Sequence, residues 1–248
     1  MTESLCIALA QVNPVVGDVV GNVALIRAAR ARAAAQGADL VVFGELSICG
    51  YPPEDLVLKG AFLDSCEQAV ADLAAETETG PAILIGAPWR VADSVQNAAL
   101  LLDHGRIAAT LSKRHLTNYG VFDEARLFVP GGPPLPIPFR GVALGVLICE
   151  DMWFPDVARA LAEGGAEILV VPNGSPYEVD KDGIRLDHAR ARVAETGLPL
   201  VYVNQIGGQD ELVFDGASFV VGRDGGLETA LAPWGVEVVA TRWTRGAD

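Results

Sequence analysis

Residues 145–156 read GVLICEDMWFPD, an apolar run that ends in a cysteine and passes at once into two acids. The run spans residues 142–148 and has the length and apolar character of a buried strand, and a helical stretch follows over residues 156–163. A strand that hands over to a helix is the repeating step of an α/β domain. Such domains collect their sites at strand ends, where loops converge on one crevice. Cys149 is then either a small buried filler, the ordinary state of a free cysteine taken alone, or a nucleophile at the lip of a strand.

The same alternation continues on both sides. Residues 5–10 read as a strand, with Pro14 and Gly17 punctuating the turn after it. Val23, Ile26, Arg30 and Ala33 mark out a helical period closed by Gly37, and its Val23/Ile26 side is expected against a sheet. Residues 40–43 form the next strand, after which Pro52 and Pro53 stop any helix before Leu56. Phe62, Cys66, Ala69 and Leu73 recur at helical spacing, which makes Cys66 a core residue. Residues 83–86 read as a strand, and 97–102 and 107–111 as a hairpin joined by DHGR. Residues 168–171, 200–204 and 217–221 complete the strands, and a helix is expected over 187–196. The low-complexity stretch PGGPPLPIP, residues 130–138, reads as a surface loop rather than a linker, because apolar strands of the same character lie on either side of it.

The chain has 248 residues, of which 50% are hydrophobic and 20% charged, and it carries 27 glycines. That is the profile of one sizeable soluble α/β domain whose core needs neither disulfides nor a metal. A formal net charge of −14 argues against nucleic acid or an anionic membrane as partner, since both need clustered Lys and Arg. Cys6, Cys49, Cys66 and Cys149 form no C-x-x-C pair, which fits a reduced, cytoplasmic protein. The start, MTESLCIALAQVNP, lacks the basic and apolar blocks of a targeting signal, and no run reaches the roughly 18 apolar residues of a membrane span. These features leave a small molecule as the expected partner.

Two further residues follow strand-like runs as Cys149 does. Glu45, in VVFGELSICGYPPEDL, comes just after residues 41–43, and Lys113, in TLSKRHLTNYGVFDEARLF, comes just after residues 107–111. An ammonium near a thiol favours the thiolate, so Lys113 is expected to ready Cys149. A carboxylate in an apolar pocket can take the thiol proton and deliver it to a leaving amine, the role open to Glu45. Lys113 and the backbone N–H of Glu150 would together hold an oxyanion. Separately, each has a plainer reading: a core cysteine, a loop carboxylate, and a solvated Lys113–Arg114 pair.

Other arrangements are weaker. Ser175, in PNGSPY, lacks the G-x-S-x-G elbow, and His104, His115 and His188 offer no metal-ligand spacing. GGQDE, residues 207–211, reads as a loop with acidic residues rather than a phosphate cradle.

The sequence resembles the carbon-nitrogen hydrolase (nitrilase) superfamily and, within it, the glutaminase domains of glutamine-dependent NAD synthetases. The resemblance runs through IALAQVNPVVGDVVGN, GELSICGYPPEDL, KRHLTNYGVFDEARLF, GVLICEDMWFPD, PNGSPYEVDK and VNQIGGQDELVFDGASF, and so covers nearly the whole chain. It implies an αββα four-layer sandwich in which Glu45 is the general base, Lys113 the oxyanion stabiliser and Cys149 the nucleophile. Glu124 matches the further glutamate that orients the lysine, and Tyr119, Ser175 and Lys181 match residues that hold the glutamine substrate. The implied reaction releases glutamate and ammonia through a thioester, with neither metal nor organic cofactor. The family continues into a synthetase domain that uses ATP and Mg to amidate deamido-NAD through an S-G-G-x-D-S loop, and no such loop occurs among these 248 residues. The expectation is therefore one carbon-nitrogen hydrolase domain over residues 1–248, either an excised piece or a separate ammonia-supplying subunit, with a synthetase partner and a homo-oligomeric state. A free-standing amidase or nitrilase of the superfamily, or a non-catalytic regulatory module of the same fold, are the alternatives.

Overall fold

A computed structural model of the chain describes residues 4–246, so the first three and last two residues of the expected domain lie outside the described ones. In chain order the elements that matter for the site are β1 (Ser4–Gln11), α1 (Val19–Ala35), β2 (Leu40–Val42), α2 (Gly60–Ala75), β3 (Ala82–Val91), β4 (Ser94–Asp103), β5 (Arg106–Ser112) and the short α3 (Glu124–Leu127). The second half contains β6 (Ile137–Phe139), β7 (Val142–Val146), α4 (Pro155–Glu163), β8 (Ile168–Pro172), α5 (Lys181–Thr196), β9 (Leu200–Val203), β10 (Ile206–Gln209), β11 (Leu212–Asp215), β12 (Phe219–Val221), β13 (Leu227–Ala230) and β14 (Glu237–Thr244). Two six-stranded sheets result, ordered β14-β1-β2-β3-β4-β5 and β13-β12-β9-β8-β7-β6, and β10 pairs with β11 as a separate hairpin.

Side-chain alternation turns these sheets into four layers. Along β1, Leu5, Ile7 and Leu9 enter the core between the sheets, with Leu144, Val170 and Val201 from the other side. Ala8 and Ala10 face the opposite way, into a core shared with Val23 and Ile26 of α1 and Leu63, Cys66 and Val70 of α2. The second sheet repeats the device: Leu169, Val171, Leu200 and Tyr202 pack with Val157 and Leu161 of α4 and Val193 of α5. Period-two strands buried on both faces therefore give helix, sheet, sheet, helix, the sandwich that the resemblance implies. Among the described residues no helix is long and apolar enough to cross a membrane.

The sequence reading needs correction in several places, and it left β13 and the short α3 unread. β14 pairs with β1 over eight residues, from Ser4↔Thr244 to Gln11↔Glu237, but only Val238 and Trp243 of it are buried, so it shows little apolar signal. The proline-rich loop ends in an edge strand, β6, where Pro138 is tolerated because an edge needs fewer donors. Residues 206–215 form a hairpin turning at Asp210 and Glu211, not an open loop. α5 starts at Lys181, six residues before the expected start at 187, because the inner face of its first turns is made of Lys181 and Arg185 and so carries no apolar period.

Candidate active site

The three strand-end residues do meet. Glu45 lies in the turn after β2, Lys113 directly follows β5, and Cys149 opens a short helical turn (Cys149–Trp153) three residues beyond the end of β7. β2 and β5 belong to one sheet and β7 to the other, so the site sits where the two sheets present their strand ends together. Cys149 has a positive φ of 48°, uncommon for a residue with a side chain and of the kind that concentrates at functional turns.

Close backbone approach seats Glu45. A side chain at Gly86 would run into the Glu45–Leu46 backbone, and one at Gly174 would meet the Tyr51 ring at 2.8 Å and Glu45 Oε2 at 3.2 Å. With those glycines in place the carboxylate is fully buried and saturated. Lys113 Nζ donates to Oε1 at 2.8 Å, Asn97 Nδ2 to Oε1 at 2.7 Å, and the Gly174 N–H to Oε2 at 3.0 Å. Lys113 is buried too, pairing with Glu124 Oε2 at 2.7 Å and donating to Thr117 Oγ1 at 3.1 Å. Glu124 also accepts the Thr117 N–H at 2.8 Å. Glu124 thus sits against the ammonium of the lysine that the resemblance pairs it with.

The electrostatics of this cluster set burial against charge. Burial and the Glu45 carboxylate push the Cys149 thiol well up, and Lys113 and the Gly174 N–H only partly offset them. The balance favours the thiol over the thiolate. Burial would depress Lys113, but Glu45 and Glu124 outweigh it and hold the ammonium firmly charged. Glu45 is raised by its burial and by Glu124, against the pull of Lys113.

At the mouth of the crevice, Tyr119 is half exposed and its hydroxyl donates to Glu150 Oε2 at 3.2 Å. Lys181 pairs with Glu178 at 2.6 Å, and Ser175 is held from behind. Cys149, Glu150, Ser175, Lys181, Tyr119 and Trp153 line a narrow crevice of about 10 Å³. Burial raises the Glu150 carboxyl, with the Lys113 ammonium and the Tyr119 hydroxyl pulling the other way.

The sequence reading missed three supports. Asp151 accepts the N–H groups of Ile148 at 3.0 Å, Arg114 at 3.1 Å and His115 at 2.8 Å, which ties the turn at Cys149 to the chain just past Lys113. Arg185 is fully buried, paired with Asp215 at 2.8 Å, and donates to Ser175 Oγ, Ser175 O and Pro176 O. Asn97 bridges two carboxylates. A charged residue on a helix, as Arg185 is, ordinarily reads as solvated, and nothing local marks it as buried.

The match to the carbon-nitrogen hydrolase family covers residues 6–242. A glutamine-dependent NAD(+) synthetase of Rhodobacter capsulatus is 48% identical over 247 residues, which are 100% of this chain but 45% of that protein. This chain thus spans about half the length of the curated relatives it matches. Among solved structures, the glutamine-dependent NAD+ synthetase of Acinetobacter baumannii in complex with ADP superposes with a TM-score of 0.93 at 34% identity, over 98% of this chain and 46% of that one. An amidase from Nesterenkonia sp. gives a TM-score of 0.84 at 32% identity, covering 98% of this chain and 92% of its own. One structure of a mutant of that amidase shows the acetamide moiety of fluoroacetamide covalently added at the active-site cysteine.

Proposed function

The chain belongs to the carbon-nitrogen hydrolase family, and from that premise we propose that it hydrolyses the side-chain amide of L-glutamine to glutamate and ammonia. The observation that carries this reading is the pairing of a buried Glu45–Lys113–Cys149 floor with a mouth bearing Glu150 and Lys181. A carboxylate and an ammonium beside one opening match the α-ammonium and α-carboxylate of a free amino acid, with Tyr119 and Ser175 as hydroxyl partners.

In the proposed reaction Glu45 takes the Cys149 proton as sulfur bonds to the amide carbon. Lys113 and the Glu150 N–H hold the oxyanion, and Glu45 returns the proton to nitrogen as the C–N bond breaks, leaving a γ-glutamyl thioester and ammonia. Water, deprotonated by Glu45, then cleaves the thioester to glutamate and restores the thiol. No metal or organic cofactor takes part in these steps.

The relatives named glutamine-dependent NAD(+) synthetases are about twice as long. We take the ammonia to be passed to an ATP- and Mg-dependent synthetase domain or subunit that amidates deamido-NAD. We further place the protein in the cytoplasm, as a homo-oligomer with that partner. The test is intact mass after incubation with diazo-oxo-norleucine, a glutamine-shaped electrophile, followed by peptide mapping. An adduct on Cys149 that glutamine suppresses is expected; suppression by acetamide but not by glutamine would reject the substrate.

The Nesterenkonia amidase, matched over 92% of its own length, favours a second reading as a hydrolase of simple amides. A panel of glutamine against acetamide and propionamide decides between them, and preference for the aliphatic amides would establish the second.

A further inference from the structure

Asn97, in β4, is buried between the two carboxylates of the site floor. Its Nδ2 donates to Glu45 Oε1 at 2.7 Å and to Glu124 Oε1 at 3.1 Å, and its backbone carbonyl accepts the Lys113 N–H at 2.8 Å. Its Oδ1 is buried and has no partner. Turned over, the amide would set that oxygen against two carboxylate oxygens, so the orientation follows from the network. The side chain forgoes a bond of its own to serve both acids.

We propose that Asn97 is a positioning residue for Glu45, a neutral double donor that keeps the carboxylate ionised and aimed while leaving it basic enough to take the Cys149 proton. The groups facing Glu45 are Lys113 from the end of β5, Glu124 from α3, Cys149 from the turn after β7 and Tyr51 from the loop before α2. Lys113 is the one cation among them, and two carboxylates share it. A second cation at position 97 would lower the proton affinity of Glu45 too far for a base. An apolar residue would let burial and Glu124 keep Glu45 protonated. An amide has two N–H groups, one for each acid, and no charge.

The proposal rests on the hydrolase reading only in taking Glu45 as the base for Cys149. Its test is the pH dependence of Cys149 alkylation by iodoacetamide, read by mass and peptide mapping, in wild type, Asn97→Leu and Asn97→Asp. Glutamine and acetamide turnover are measured alongside. Loss of the donor should move the acid limb of alkylation up by about one pH unit in Asn97→Leu, and further in Asn97→Asp, where a third carboxyl joins the pair. KM should stay at the wild-type value. A folded variant whose limb does not move overturns the proposal; if Asn97→Leu does not fold, the isosteric Asn97→Asp decides alone. A wild-type chain that shows the limb but hydrolyses no glutamine removes the substrate and leaves the role of Asn97 standing. Alkylation that follows an unassisted thiol and is unchanged in Glu45→Gln removes both.

Discussion

At the floor of the site Glu45, Lys113 and Glu124 are buried and bonded to one another, whereas at the mouth Tyr119 is 53% exposed and Lys181 leans on the exposed Glu178. The floor's partners are Asn97 of β4, Glu124 of α3 and residues of buried turns just past strands, so its charges are already arranged before any ligand arrives. On the proposed reaction the mouth's partners are replaceable: the substrate carboxylate would take the place of Glu178 on Lys181, and its ammonium would add to Glu150. The contrast teaches that chemistry and recognition are divided by rigidity. Changes at the floor should therefore strike kcat and stability together, and changes at the mouth should strike KM.

Replacing Lys113 tests that division most severely. Lys113→Ala removes an oxyanion donor, expected to cost on the order of 10²–10³ in kcat. It also leaves Glu45 and Glu124 buried without their cation, a loss of roughly 3–5 kcal/mol in stability by the usual cost of breaking a buried pair. Steady-state kinetics and urea unfolding should show both losses in the same variant. Near-normal turnover in Lys113→Ala would dissolve the distinction between floor and mouth.

Next in size is Asp151, which catalyses nothing in the proposed scheme yet clamps Cys149 to Lys113. Asp151→Leu leaves three backbone N–H groups without their acceptor, each worth about 1–3 kcal/mol when buried. The turn at Cys149 should then drift, and a displacement of about 1 Å costs on the order of 10² in rate. Asp151→Asn keeps an acceptor and should lose far less. Equal losses in the two variants would mean that charge, not the clamp, is what position 151 supplies.

How much of this was readable beforehand follows the same division. Glu45, Lys113 and Cys149 each follow or end an apolar run, which places them at strand ends, but their roles and those of Tyr119, Ser175 and Lys181 come from the family resemblance rather than from spacing. The supports were opaque because their roles depend on burial that only the tertiary fold creates. Arg185 and Asp215 are thirty residues apart and each looks like surface charge until α5 packs on the second sheet. Asn97 sits in a strand between Gln96 and Ala98, and nothing local tells that its amide faces two acids. The thiol is a related case: the pull of Lys113 on Cys149 is visible in the sequence, but the depth of burial set against it is not.

The pH profile separates floor from mouth with a smaller effect. Glu45 must be ionised to accept the Cys149 proton, and burial followed by Glu124 raises its pKa against the pull of Lys113. Activity is therefore present above the folded pKa of Glu45 and lost as pH falls through it. That limb should lie above the ordinary carboxylate range of about 4–4.5, and it should appear in kcat/KM. Because thiol deprotonation is coupled to the base, no second rise is expected near the ordinary thiol value of about 8.5. A limb at the ordinary carboxylate value would mean that the floor is wetter than its geometry.

The mildest change should be at the rim. Lys181→Ala removes the cation proposed to hold the substrate carboxylate, but it leaves Glu45, Lys113 and Cys149 with all their partners. A charge-assisted hydrogen bond contributes about 1.5–3 kcal/mol, and a rim position that already trades one carboxylate for another should realise the lower end, about tenfold in KM. The value of kcat should hold, because the bond is made equally in the ground and transition states and so is uniform binding. If kcat falls instead, Lys181 helps place the amide over Cys149, and the rim belongs mechanically to the floor. Acetamide, which has no α-carboxylate, provides the internal control: its hydrolysis should be indifferent to Lys181→Ala, and sensitivity there would show that the substitution has disturbed the crevice rather than removed a ligand contact.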